Sequence, residues 1–563
     1  MQRSCTQCSA PFEVTDEDRA LLKKLTPIFD GKEYPIPEPT LCFECRLQRR
    51  LAFYNTRNLY KRTCTKTGAT IVSMYSPEST LNIYEKDTWF SDDWNPLDYG
   101  RDFDFNRPFF EQWKELRGAV PLPSLSLMTY NQNTEYANDA YKMKNCYLIF
   151  DGESAEDCFY GQTFIYSKNC MDFLAIEHAE LCYESTHCYT CYNTKFSRFC
   201  HNCSDSYFLR DCSGCKHCFA SANLHQKQYC MYNKQVTREE YEAFIQTFET
   251  TKYSEIQRYR QMAETFMLTQ PVKESRCIQN FNCRGDNLNR SSNADYCFDS
   301  NGMQDCRYCT NCLMGGKDNM DVHIWGSAME LSYESCCIGE KTKSLMGCLY
   351  VYEGCSNAYY SFFCTRSCDH LFGCIGLRHK NYCIFNKQYT PTEYQALAGK
   401  IADHMHKTGE WGQFFPTEIS AFGYNETVAQ LFFPLQKEEV LRKGWRWSDY
   451  ESPVQADRVI DAKNLPDDSV DIPDDVLNWA IVCEATGKPF KIMKQELEFY
   501  RQHRLPIPRR HPNQRHVDRF AYKNEYKIWT RSCAKCSKQI ETTYGPTRQE
   551  IVYCEECYLK EVY

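Results

Sequence analysis

The sequence predicts a mainly β protein: two tandem arrays of short β-solenoid-like rungs with a twelve-residue period, capped by helices and flanked by small cysteine-paired modules at the N- and C-termini. Three observations predict this. Cysteine recurs every twelve residues at Cys146, Cys158, Cys170 and Cys182, and returns at Cys218 and Cys230 after rungs with Thr194 and Ser206. Two further columns keep step with it, Cys188/Cys200/Cys212 and Cys191/Cys203/Cys215. Each terminus carries two Cys-x-x-Cys pairs. A period shared by several columns marks a stacked repeat, in which each unit buries its apolar face only against its neighbours.

At 563 residues the chain exceeds one ordinary core, so several units are expected. A formal charge of −8 excludes a protein that is basic throughout. No apolar run approaches the roughly 20 residues of a membrane helix, and the first thirty residues hold no apolar signal core. The expected compartment is the cytoplasm. There, 36 cysteines in a long chain point to reduced thiols and metal sites ahead of disulfides.

The N-terminal module (1–105) pairs Cys5-x-x-Cys8 with Cys42-x-x-Cys45, and the C-terminal module (479–563) pairs Cys533-x-x-Cys536 with Cys554-x-x-Cys557. Four thiolates in two pairs suit a closed tetrahedral Zn²⁺ site, so two structural zinc ions and two zinc-ribbon modules are expected. The modules also align with each other without a gap. Arg50-Leu-Ala-Phe53 falls on Arg519-Phe-Ala-Tyr522, Asn55 on Asn524, Cys64 on Cys533, Tyr75-x-Pro77 on Tyr544-x-Pro546 and Tyr84 on Tyr553. In that register Thr67, Glu85 and Thr88 stand where Cys536, Cys554 and Cys557 would be. His511 and Gln514 stand where Cys42 and Cys45 would be. A duplicated two-site module that keeps one metal at each end follows, with Cys64 and Cys483 as packed remnants.

The stretch Cys5-Thr-Gln-Cys8-Ser-Ala-Pro-Phe12 with Cys42-Phe-Glu-Cys45-Arg46-x-x-Arg49-Arg50 resembles a small zinc-ribbon family of unknown function. Over nearly its whole length the chain resembles an uncharacterised family of large cysteine-rich proteins from uncultivated, small-genome bacteria. The stretches that carry this resemblance are Trp94–Phe105, Phe422–Ala429 and Cys554–Tyr563. It implies no activity. Members of that family carry cysteine near the place of Glu85, and the departure here removes a second N-terminal metal.

After a connector (106–132), the first array spans 133–236 and ends in a helical cap (237–275), where Thr237-x-x-Glu240 has the form of a capping box. Short strands of aromatic and small residues, with Asn or Asp at a fixed corner, suit a solenoid turn. Positions of one parity are expected to face the interior. Twelve residues make one small coil or half of a twenty-four-residue coil. The stacked thiols have three readings: core filler, disulfides, or further metal ligands at Cys188, Cys191, Cys200, Cys203, Cys212 and Cys215.

The second array (276–390) repeats the pattern from Cys306, Cys309 and Cys312 through Cys336, Cys337 and Cys348, slips near Tyr350, and closes at Cys368, Cys374 and Cys383. Its exit, Leu377–Gln388, copies the first array's, Leu224–Gln235. A helical cap and aromatic wrap (391–450) follows, then an acidic linker rich in Asp and Pro (451–478).

Arg46, Arg49, Arg50, Arg57, Lys61 and Arg62 interleave with Phe53, Tyr54 and Tyr60, while Arg504, Arg509, Arg510, Arg515 and Arg519 form the C-terminal counterpart. Charge with stacking rings is how single-stranded RNA is held without base selectivity. A non-enzymatic zinc scaffold with RNA or a ribonucleoprotein as partner is therefore the leading expectation. A protein-only or self-assembling scaffold is the second, and a thiol-rich redox protein or enzyme with a site in the solenoid groove the third. No phosphate loop, nucleophile elbow or paired-histidine metal motif is present, and His323 and His370 stand alone.

Overall fold

A computed structural model describes residues 2–126 and 128–562. The chain is mainly β, and its strands gather into two long ladders with small hairpin sheets at the ends. In the first ladder, neighbouring strands run parallel at a register of twelve: Ala137 pairs with Ile149, Phe150 with Gln162, Phe159 with Met171, Cys188 with Cys200 and Cys218 with Cys230. Twelve residues, rather than twenty-four, is the repeat of this ladder.

Within each twelve the chain turns four times. From Asp139 to Tyr232 every third residue has φ near +50°, the one glycine among them being Gly214. A left-handed residue turns the chain sharply, at a cost of about 1–2 kcal/mol where a Cβ is present. Two extended residues separate each corner from the next, so one residue in three points inward. Cys146, Ile149, Gly152, Ala155 and Cys158 are buried in turn. The expectation of two-residue alternation is thus corrected to a triplet.

Four three-residue sides enclose little space, and this selects small side chains. It also explains the sulfur. Cys158 Sγ lies 3.4 Å from the Glu156 carbonyl and 3.5 Å from that of Ser167, and Cys203 repeats this with His201 at 3.4 Å and Cys212 at 3.5 Å. The Thr194 hydroxyl reaches the Tyr192 and Cys203 carbonyls at 3.1 and 3.2 Å. Threonine and serine therefore replace cysteine in its column because a hydroxyl can donate to the same inward carbonyls.

The second ladder opens on rungs of eleven, with Ile278 on Asn289 and Phe281 on Ser292, and then runs at twelve, as where Phe298 pairs with Thr310. It then lengthens to thirteen, with Thr310 on His323, Met320 on Tyr333 and Lys343 on Ser356, and returns to twelve at Asp369–Asn381. The extra residue enters on one side of each coil, where left-handed corners stand four apart at Asn311 and Gly315 and where Gly326 adds a left-handed residue between Ile324 and Ala328. A uniform twelve-residue period in this array is thereby corrected.

Each ladder ends in an antiparallel turn (Lys234–Gln235 and Lys387–Gln388) and a capped helix that packs on its last strands. Thr237 and Thr390 both form complete capping boxes. The first cap is two helices, Arg238–Thr247 and Tyr253–Leu268. The connector carries the helix Phe109–Ala119, whose Trp113 is fully buried against Phe362 and Phe415. The aromatic segment after the second ladder packs inward through Trp411, Phe414, Phe415 and Tyr424. The stretch read as an acidic linker is not one. Its strand Arg458–Asp461 pairs with Trp479–Val482, and Ala462, Leu465, Ile472 and Val476 enter the core of the C-terminal module.

The terminal modules are built alike. The helix Phe43–Leu51 corresponds to Pro512–Phe520, and the hairpin Tyr60–Thr63/Thr70–Ser73 to Trp529–Ser532/Gln539–Thr542. They dock crosswise. The N-terminal helix lies on the second ladder, along Met320–Glu330 and Tyr333–Ile338, and the C-terminal helix lies on the first, along Met171–Glu177.

Candidate metal centres and basic helices

At the N-terminal end the hairpin Gln2–Ser4/Pro11–Glu13 presents Cys5 and Cys8 from its turn, where the Ser9 amide donates to the Cys5 carbonyl. Cys42 and Cys45 come from the first turn of the helix Phe43–Leu51. The C-terminal end repeats the device, with Cys533 and Cys536 on a hairpin turn and Cys554 and Cys557 at the start of the helix Glu555–Val562. In each set the four sulfurs lie within 4.8 Å of one another. Cys8–Cys42 and Cys536–Cys554 are both 3.7 Å apart. That matches the edge of a tetrahedron with metal–sulfur bonds of about 2.3 Å. The donor set fits a resident divalent metal held by four thiolates.

Electrostatics favours deprotonation at one thiol of each set. The neighbouring Cys45 thiol brings Cys42 down to about 6, against its burial. Burial raises Cys533, but hydrogen bonds from the backbone amides of Cys554 and Cys536 outweigh it and bring the thiol to about 6. The Cys554 thiol pushes Cys557 up to about 12. A bound cation would relieve this like-charge crowding.

The remnant sites keep the scaffold without the ligands. The Glu85 amide donates to Cys64 Sγ at 3.3 Å, as the Cys554 amide donates to Cys533 Sγ at 3.3 Å. Cys483 is buried on the corresponding turn.

The candidate ladder ligands Cys188, Cys191, Cys200, Cys203, Cys212 and Cys215 do not converge. Among the described residues, groups of three or more metal-ligating atoms occur only at the two termini. Each ladder sulfur lies near backbone carbonyls, as Cys188 does at 3.6 Å from Thr186 and Ser197. Neighbouring thiols split the candidates, raising Cys188 and bringing Cys191 down to about 5, while burial raises Cys212. No cysteine is in a disulfide. The structure places these thiols in the core.

The basic residues divide. Arg46, Arg50, Arg515 and Arg519 are buried. Arg46 Nε meets Asp321 at 2.8 Å, Arg50 bridges Asp321 at 2.9 Å and Glu334 at 2.7 Å, and Arg49 joins Glu334 at 2.8 Å. At the other end Arg515 and Arg519 both pair with Asp172, Arg519 at 2.9 Å. Arg57 lies over the Phe150 ring at 4.8 Å. Arg46, Arg49, Arg50, Arg515 and Arg519 are the docking pegs of the two helices, and Arg57 packs on the first ladder from the following loop, which corrects their assignment to a nucleic-acid surface. Lys61 and Arg504 are exposed, and Arg62 is half-buried. Arg509 lies near Asp467, and Arg510 pairs with Glu484 and Asp518.

The receiving carboxylates Asp172, Asp321 and Glu334 escape sequence reasoning. All three sit at left-handed corners, where an acidic residue reads as an ordinary turn former. His323 is buried with Nδ1 2.6 Å from Thr310 Oγ1, and His370 bonds Asp369 at 2.6 Å and stacks on Tyr382. Among the described residues no helix is long and apolar enough to cross a membrane.

No family model matches the chain, and no curated protein matches it. Among solved structures it is similar to a "putative acetyltransferase" from Desulfovibrio desulfuricans G20, at 11% identity over 50% of this chain and 81% of that one, with a TM-score of 0.11.

Proposed function

We propose that the chain is a non-enzymatic zinc scaffold. In this reading the ladders are two tandem β-solenoids, the tetracysteine sites hold Zn²⁺, and the zinc-ribbon modules clamp the solenoids side by side. The outer corners then serve protein partners. The observation that carries this reading is the crossed docking: the helix of each module spends its buried arginines on the ladder more distant in sequence, so the clamps act inward. Tyr130 and Tyr166 are exposed at left-handed corners, and Tyr192 is exposed beside one. Aromatic side chains of this kind are enriched at protein interfaces.

An RNA or ribonucleoprotein partner would have to be held chiefly by Lys61, Arg62, Arg504, Arg509 and Arg510. Arg509, Arg510, Arg515 and Arg519 are each met by a carboxylate, and the net charge of −8 opposes a polyanion. The test is affinity purification of the tagged chain with and without nuclease, followed by a high-salt wash and zinc analysis. A stoichiometric protein complex that survives both treatments, with two zinc ions per chain, is expected. Loss of the complex with nuclease, with crosslinks at Lys61 or Arg504, would replace this reading by the RNA one.

A further inference from the structure

The duplication creates two equivalent polar nodes between the ladders, and they have diverged. At the first, Tyr54 of the N-terminal module bonds Asp151 of the first ladder, beside Asp139 one rung back and Cys337 of the second ladder. At the second, Lys523, which occupies the place of Tyr54, pairs with Asp299 of the second ladder at 2.5 Å. Asn287, one rung back, donates to Asp299 at 2.8 Å, and the Tyr526 hydroxyl donates to it at 2.7 Å. His187 of the first ladder stands opposite, with Nε2 3.7 Å from the same carboxylate.

The first node is packed with buried side chains, whereas the second borders a cavity of about 90 Å³ between the ladders. Its apolar lining includes Ile165, Leu174 and Leu313, and its polar lining Asn287, Asn289, Asn311, Asp299 and His187. A cavity of about 150 Å³ holds benzene, so one of about 90 Å³ must widen slightly to admit a ring.

Two atoms on the polar wall have no hydrogen-bond partner although they are buried, His187 Nδ1 and Asn289 Oδ1. His187 is 2% exposed and lies flat against Phe199, with ring centres 4.8 Å apart. The Asp299 carboxylate, 3.7 Å from Nε2, favours a proton on that nitrogen by its charge, which leaves a lone pair on Nδ1. Burial holds the ring neutral against the pull of Asp299. Both orphan atoms are then acceptors, and buried acceptors left unsatisfied are costly. Lys523 and Asp299 cancel in charge, so the node attracts neither anions nor cations.

We propose that this inter-ladder cavity is a binding site for a small uncharged ring-bearing alcohol, its ring against Ile165, Leu174 and Leu313 and its hydroxyl donating to His187 Nδ1. Nothing in the scaffold reading requires such a site. The first node is its internal control, since Cys337 stands there in the place of His187.

The test uses the zinc-loaded full chain with phenol and toluene as probes, read by saturation-transfer NMR and calorimetry. Phenol should bind at millimolar concentration or below, about tenfold tighter than toluene, because toluene leaves the acceptor bare. Ala175→Phe occupies the cavity from a corner position at which the chain elsewhere carries Tyr160 and Tyr166, and should abolish binding of both probes. His187→Phe keeps the stack on Phe199 and should reduce phenol to the level of toluene. Thermal melts of both variants establish that they fold. Equal affinity for the two probes, no phenol binding, or phenol binding that survives Ala175→Phe would each overturn the proposal.

Discussion

Arg50 and Arg519 occupy the same position in the two copies of the terminal module, and each inserts a buried guanidinium into carboxylates at the left-handed corners of a ladder. Arg50 takes Asp321 and Glu334, and Arg519 takes Asp172. Removing one partner of a buried pair leaves the other charge uncompensated, which typically costs about 3–5 kcal/mol. Arg50→Met and Arg519→Met should each lower the midpoint of urea unfolding by that order. Arg50→Met combined with Asp321→Asn and Glu334→Gln should recover part of the loss. A loss below about 1 kcal/mol in either single variant would refute the role of these arginines as docking pegs.

The metal sites predict their own stoichiometry. Elemental analysis should give two zinc ions per chain, falling to one in Cys8→Ser and one in Cys536→Ser. Because binding a metal to thiolates releases protons, chelator resistance should weaken as pH falls. A count of four or more would return the ladder thiols to consideration as ligands.

Asp139 and Asp151 form a carboxyl pair inside the first node. Burial, reinforced by Asp151, raises Asp139 to about 8, and burial raises Asp151 to about 6. A carboxyl raised above its unfolded value of 3.8 stabilises the fold fully below that value, and this contribution is lost as pH rises through the folded value. Stability should therefore decline between about pH 4 and pH 8 on this account. Asp139→Asn should flatten that decline and stabilise the chain at pH 8, by an amount of the order of a few kcal/mol. The pair titrates as a unit, so the measured slope belongs to both groups.

The interior triplet position wants a small donor. Cys200→Ser should cost about 1 kcal/mol or less, since Ser185 already makes the equivalent bonds to Tyr183 and Thr194 at 3.1 Å. Cys200→Val removes the donor and adds volume, and should cost about 2–3 kcal/mol. Melting temperatures would rank the series, and valine equal to serine would show that the carbonyl contacts are incidental.

Corner geometry can be tested at Asn202, which is exposed and has φ of 51°. Asn202→Gly should be nearly neutral, whereas the β-branched Asn202→Val should cost about 1–2 kcal/mol. Equal stability of the two variants would refute the left-handed assignment.

The cysteine columns, the two tetracysteine sets and the duplication of the ends were legible because each depends on residue identity at fixed spacing. The triplet was not. Its corners carry Tyr160, Phe196, Leu181 and His217 as freely as Asn, and in the first ladder's run of corners only Gly214 is a glycine, so the usual mark of positive φ is missing. The thirteen-residue rung appeared only as a slip, since one added corner residue leaves the cysteine spacing nearly intact. The arginine clusters misled for a different reason: their partners lie hundreds of residues away, and local composition carries no record of which face is buried.

The crossed docking also sets a timetable for a nascent chain. Arg50 leaves the ribosome 271 residues ahead of Asp321. At roughly 5–20 residues per second this is a wait of about 15–55 s, during which its positive charge must stay hydrated or be shielded. The amino-terminal clamp can therefore close only after most of the polypeptide has been made, and a truncated product would leave it open with its apolar helix face uncovered.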